Sequence, residues 1–182
     1  HGTDVGSVAR WKLLGGLVRR AVVVCYVSRA MRSILERVVQ PDHLLYTPNG
    51  VDTGFFTPGD VNRRPAVLMV GSLRWQKGYA DALKAFARFQ QRYQDWRLLI
   101  VGEGPKREEL EEQARTMNLD GSVDFVGAKS RTEVAAIMRQ SRLFMLSSVS
   151  EGFPKVLLEV AASGTPSVVT DVGSCREVVE EG

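Results

Sequence analysis

The stretch "VLMVGSLRWQKGYADALKAFARFQQRY", residues 67–93, decides the fold. Its first four residues are continuously apolar and run into a glycine, as in a strand buried on both faces of a parallel sheet. Then Tyr79, Leu83, Phe86, Phe89 and Tyr93 recur at helical spacing. Between strand and helix lies "GSLRWQKG", residues 71–78, a loop with two cations close to a helix start.

The same unit repeats outward. Short apolar runs at 21–27, 44–47, 97–102, 122–126, 142–147 and 167–170 predict further strands. Helices are expected over 78–93, 105–118, 155–163 and 174–181. Ser130 with Glu133 forms a capping box ahead of Val134, Ile137 and Met138. This rhythm predicts an α/β fold, a Rossmann-like, doubly wound parallel sheet. The stretch 48–60, "PNGVDTGFFTPGD", carries repeated Gly/Pro punctuation and reads as a boundary. Residues 1–58 are expected to be the tail of one domain with its linker, and 59–182 most of another.

The chain has 182 residues, 44% hydrophobic and 25% charged, an ordinary globular composition. A net charge of +3 is too mild to imply nucleic acid, while anionic small molecules and peripheral membrane association stay open. Cys25 and Cys175 are far apart, which fits a reducing, cytoplasmic compartment, with the inner face of the membrane left open. No apolar stretch approaches the length needed to span a bilayer. The chain begins at His1, and "EVVEEG" interrupts a helical pattern, so the sequence reads as a fragment cut at both ends.

In a parallel α/β sheet, ligands bind outside the carboxyl ends of the strands. Three loops there carry polar or glycine-rich residues. In the first, Arg74 and Lys77 either hold an anion with the helix N–H groups or are two solvated charges. In the second, "VGEGP" at 101–105, Gly102 and Gly104 give half of a dinucleotide fingerprint. The third glycine is replaced by Arg107, so a tight turn with Pro105 as the first helical residue is the expectation.

The third loop is "SEGFP" at 150–154. Glu151 has a simple reading as a complement to a helix dipole. Glu159 does not. It lies more than a turn inside a helix, among Val156, Leu157, Leu158, Val160, Ala161 and Ala162. It either points to solvent or accepts hydrogen bonds from a ligand, and a vicinal diol offers two donors at matching spacing. The sequence lacks a G-x-x-x-x-G-K-[ST] loop, a G-x-S-x-G elbow and an Asp-x-Asp pair, and its two histidines and distant cysteines cannot build a zinc site.

Taken in order, "PNGVD" (48–52), "VGSLRWQKG" (70–78), "LLIVGEGP" (98–105), "VDFVG" (123–127) and "SEGFPKVLLEVAASGTPSVVTDVG" (150–173) resemble the family 4 retaining glycosyltransferases of GT-B fold. The resemblance covers nearly the whole chain. It implies a C-terminal domain that binds a nucleoside-diphosphate-sugar and an N-terminal domain that binds most of the acceptor, whether sugar, lipid-linked glycan or small molecule.

On this sequence it implies that Glu159 accepts from the ribose and Glu151 holds donor-sugar hydroxyls. Gly152, Phe153 and Pro154 would line sugar and diphosphate, Lys77 would neutralise the diphosphate, and Phe125–Gly127 would approach the base. "HGTD" at 1–4 matches an N-domain motif and would place His1 at the reacting centre. The family often carries Arg directly after the first loop's glycine, where this chain has Ser72; Arg74, two residues on, is the alternative cation. No metal and no cofactor are expected. An epimerase or phosphorylase on the same fold, a non-catalytic nucleotide-sugar binding module and an NAD(P)-dependent dehydrogenase are the rival readings. Arg107 weighs against the dehydrogenase.

Overall fold

A computed structural model describes residues 20–37, 39–59 and 62–179. Two parallel sheets are present among them. The smaller pairs β1 (Val24–Tyr26) with β2 (Leu44–Tyr46), with α1 (Arg29–Leu35) between them in sequence. The larger contains β3 (Arg64–Val70), β4 (Arg97–Val101), β5 (Val123–Gly127), β6 (Ser141–Leu146) and β7 (Ser167–Val169). Its order is β5-β4-β3-β6-β7, with every pairing parallel. Four helices connect these strands: α2 (Tyr79–Gln90), α3 (Arg107–Thr116), α4 (Arg131–Gln140) and α5 (Lys155–Ala162).

The continuous apolar run of β3 has its expected cause. Val67 and Met69 pack under α2 and α3 with Leu83, Phe86, Ile100 and Leu110. Leu68 faces the other way, against Met138, Phe144, Leu157 and Val160 under α4 and α5. Both faces are covered, so neither can be polar. Phe56, from the boundary stretch, is buried in the second of these clusters. Ser130 and Glu133 form the capping box in full.

Three expectations are corrected. Only Val24–Tyr26 of the 21–27 run is strand, and Val22 and Val23 are exposed, because among the described residues this strand has one partner and one covered side. Pro105 lies in a turn ahead of α3: the Lys106 N–H donates to the Leu73 carbonyl, and the helix starts at Arg107. Over 174–181 the described part is a single 3-10 turn, Cys175–Glu177. The N–H groups of Val178 and Val179 both close on the Cys175 carbonyl. Glu177 there accepts from the N–H groups of Arg29 and Ala30 at 2.8 and 3.0 Å, tying α1 to this turn.

Candidate functional site

The strand order reverses at β3: the chain runs outward to β4 and β5 on one side, then returns to β6 and β7 on the other. Such a switch point opens a crevice at the carboxyl ends of the two diverging strands. The loops leaving β3 and β6 meet there. After β3 the chain makes a 3-10 turn, Trp75–Lys77, and reaches Gly78 at φ 63°. A Cβ on Gly78 would lie 1.9 Å from the Ser147 carbonyl oxygen, so only glycine lets the loops approach this closely. Ser147 Oγ donates to the carbonyls of Lys77 and Gly78, and the Val149 N–H donates to the Gln76 carbonyl.

This stitching brings Lys77 Nζ to 2.7 Å from Glu151 Oε1. Ser148 Oγ donates to the same oxygen at 2.6 Å. The Glu151 side chain is only 9% exposed, against 27% for Lys77, so the pair is largely desolvated. Both contacts fall on Oε1, so Oε2 can accept from a ligand hydroxyl. Glu151 therefore serves a cation across the crevice, and the α5 N-terminus is capped at Pro154 without any side-chain bond. Tyr79 donates its hydroxyl to the Gly71 carbonyl at 3.0 Å, and burial with the nearby Glu151 charge pushes its pKa up, so it stays a donor.

Gly152 is exposed, Phe153 half-buried and Pro154 buried at the start of α5. Ser174 Oγ donates to the Gly152 carbonyl at 2.6 Å, bracing the loop from the β7 side. Glu159 follows on α5, beside the buried Leu157 and Val160 but itself half-buried. Burial raises its carboxyl pKa, while Arg131 and Lys155 pull it down. Arg131 opens α4, stacks over the rings of Phe55 and Phe56 at 4.3 and 5.2 Å, and lies 3.9 Å from Asp52 Oδ2.

The structure thus joins Lys77 to Glu151 at the switch point, with Gly152, Phe153 and Pro154 continuing the same loop and Glu159 within α5. Ser72 and Arg74 sit exposed on the β3 loop. Arg74 is not joined to the Lys77–Glu151 pair. Gly127 ends β5 at φ 79°. His1 lies outside the described residues. Sequence reasoning missed Ser148, Tyr79, Ser174 and Arg131. The first two flank motif residues, but no spacing rule marks them. Among the described residues, no three His, Cys, Asp or Glu side chains are placed to hold a metal ion, and no helix is long and apolar enough to cross a membrane.

The larger sheet and its crevice have the architecture of the C-terminal domain of GT-B glycosyltransferases. The crystal structure of Anabaena Alr3699/HepE in complex with UDP superposes with a TM-score of 0.85 at 21% identity, over 96% of this chain and 52% of that one. The C-terminal domain of a glycosyl transferase group 1 family protein (LpcC) from Francisella tularensis is 26% identical, with a TM-score of 0.66 over 72% of this chain and 76% of that one. The family model "Glycosyl transferases group 1" matches residues 53–182, and the chain belongs to that family. It is 31% identical over 183 residues to a subunit of the human phosphatidylinositol N-acetylglucosaminyltransferase, covering 98% of this chain and 38% of that protein. The chain spans less than half the length of the first curated relatives it matches.

Proposed function

We propose that the whole protein transfers a sugar from a nucleoside-diphosphate-sugar to an acceptor hydroxyl, with retention at the anomeric carbon. One observation carries the reading: the largely desolvated Lys77–Glu151 pair spans the switch point, with the half-buried carboxylate of Glu159 on the helix that follows. Glu159 accepts from the ribose diol. Glu151 Oε2 accepts from a hydroxyl of the donor sugar, while Oε1 stays on Lys77 and Ser148. Gly152, Phe153 and Pro154 line the sugar and diphosphate, and Arg74 adds a second cation where the chain has Ser72.

As the glycosidic bond breaks, negative charge collects on the departing diphosphate. Lys77, on a turn pinned to the β6 loop, is a preorganised cation for that charge. The acceptor oxygen bonds to the anomeric carbon from the face the diphosphate leaves, so no protein nucleophile is required. The reading needs no metal and no cofactor. Relatives support the donor class: the Anabaena structure holds UDP, and a second structure of it holds UDP-glucose. The reaction would take place in the cytoplasm, at the inner membrane face if the acceptor is lipid-linked.

The test is a donor screen on the full-length protein. It would follow nucleoside diphosphate release with and without candidate acceptors, and the anomeric configuration of the product by NMR. Acceptor-dependent release with retention supports the reading. Epimer formation without an acceptor would replace it with an epimerase, and tight donor binding with no turnover on any acceptor would leave a binding module.

A further inference from the structure

Ser28 is fully buried, and its Oγ has no hydrogen-bond partner among the described residues. It occupies the N-cap of α1 with an extended backbone, φ −139° and ψ 145°. In that geometry a serine hydroxyl ordinarily accepts from the N–H of the second or third helical residue. Here it accepts from neither. The Ala30 N–H donates to Glu177 Oε1 at 3.0 Å, and the Met31 N–H donates to the Ser28 carbonyl at 3.1 Å. The Arg29 N–H donates to Glu177 Oε2 at 2.8 Å. α1 has no acidic residue in its own first turn, so Glu177 brings the carboxylate that a helix start favours from 147 and 148 residues away.

The helix therefore has two caps and uses one. A buried hydroxyl without a partner costs stability. Release of Glu177 would free the Ala30 N–H, and rotation of the Ser28 side chain would let Oγ take it. Glu177 itself is exposed, so water replaces the two N–H donors when its carboxylate lets go. Neither side of the contact is left stranded by opening it.

The contact also reaches the crevice. Glu177 closes the 3-10 turn Cys175–Glu177, which buried Cys175 anchors in the cluster with Leu157 and Val160. Just ahead of that turn, Ser174 Oγ donates to the Gly152 carbonyl at 2.6 Å. Gly173, at φ 56°, lies so near the Glu151 carbonyl oxygen that a Cβ there would come within 1.9 Å of it. Residues 173–177 thus brace the Glu151–Gly152 loop at one end and hold α1 at the other.

We propose that α1 exchanges between two caps, Glu177 and its own Ser28, so that the hold of the small sheet on the turn behind the Glu151–Gly152 loop is a releasable latch. The latch is independent of what the crevice binds. The competing account is that Glu177 is a permanent tie and the Ser28 hydroxyl is inert.

Amide hydrogen exchange across α1 separates the two, measured without ligand on the full-length protein, Ser28→Ala, Glu177→Ala and the double variant. With Glu177 present, Ser28→Ala removes an unpartnered hydroxyl from the latched state and the cap from the released one, so α1 should exchange no faster than in the unmutated protein. With Glu177→Ala, Ser28 is the remaining cap, and its loss should speed α1 exchange about fivefold, the effect of an ordinary N-cap. This dependence of the Ser28 effect on Glu177 is the expected result. The same effect of Ser28→Ala in both backgrounds, or faster exchange with Glu177 present, would overturn the proposal. Glu177→Gln keeps one acceptor oxygen and carries the test if Glu177→Ala does not fold. In that background the loss of Ser28 should still speed exchange, by less, and no acceleration would overturn the proposal.

Discussion

Lys77 Nζ lies 2.7 Å from Glu151 Oε1, so a cation on the turn after β3 meets a carboxylate on the loop after β6 across the crevice where the strand order reverses. Removing the cation in Lys77→Ala leaves a largely buried carboxylate with Ser148 as its remaining partner. Thermal or urea unfolding should report a loss of about 1–3 kcal/mol. In the full-length protein kcat should fall about 10²–10³-fold, as for other lost transition-state donors. A rise in donor KM with kcat intact would exclude leaving-group stabilisation.

Glu159 is half-buried without a hydrogen-bond partner among the described residues, and burial raises its pKa. The folded chain then holds this proton more tightly than the unfolded chain does. The charge costs stability above the folded pKa, and the cost fades as pH falls toward the ordinary glutamate value of about 4.3. Glu159→Gln should therefore match or exceed the unmutated Tm at neutral pH, with the gain vanishing in acid.

Binding should show the opposite sign. The ionised carboxylate is the acceptor for the ribose, so nucleoside diphosphate affinity should drop as pH falls through the raised pKa. Glu159→Ala should lose about 1.5–3 kcal/mol of binding at neutral pH and lack this acid limb. Calorimetric titrations of both proteins across pH cancel the ligand's own phosphate ionisation. Equal affinity for the two proteins would remove Glu159 from the site.

Gly78→Ala should be disproportionately harmful. Its Cβ would collide with the Ser147 carbonyl at 1.9 Å, at a φ of 63°. The cost is expected to be at least about 2 kcal/mol in urea unfolding, with loss of turnover, because the same contact sets the Lys77 turn.

Two serine variants separate the site from the scaffold. Ser174→Ala removes the donor to the Gly152 carbonyl and should raise donor KM severalfold. Ser130→Ala removes the cap of α4 and should cost about 1 kcal/mol of stability, with donor KM unchanged.

Much of this fold was legible along the chain. The apolar runs located all seven strands seen among the described residues, although the first shrank to three residues. The capping box fixed the start of α4 because its partners are three residues apart. The described part of the 174–181 segment, up to residue 179, misled for the converse reason. Its periodicity is helical, but Glu177 is drawn to α1, 147 and 148 residues earlier in the chain. The glutamates and Lys77 stood out as charges in apolar or cationic settings. Ser148, Tyr79 and Ser174 did not, since a hydroxyl in a loop is ordinary until its acceptor is known.

By itself the sequence determined the alternation of strand and helix, the two-sided burial of the central strands and the pool of charged loop residues. These depend on side-chain periods of two and 3.6 residues, which are local. Only the tertiary structure decided which loops face each other. The strand order puts Lys77 against Glu151 from 74 residues away and hands Arg107 an edge carbonyl on β5. Strand order follows from packing both faces of one sheet at once, and no single segment carries that information.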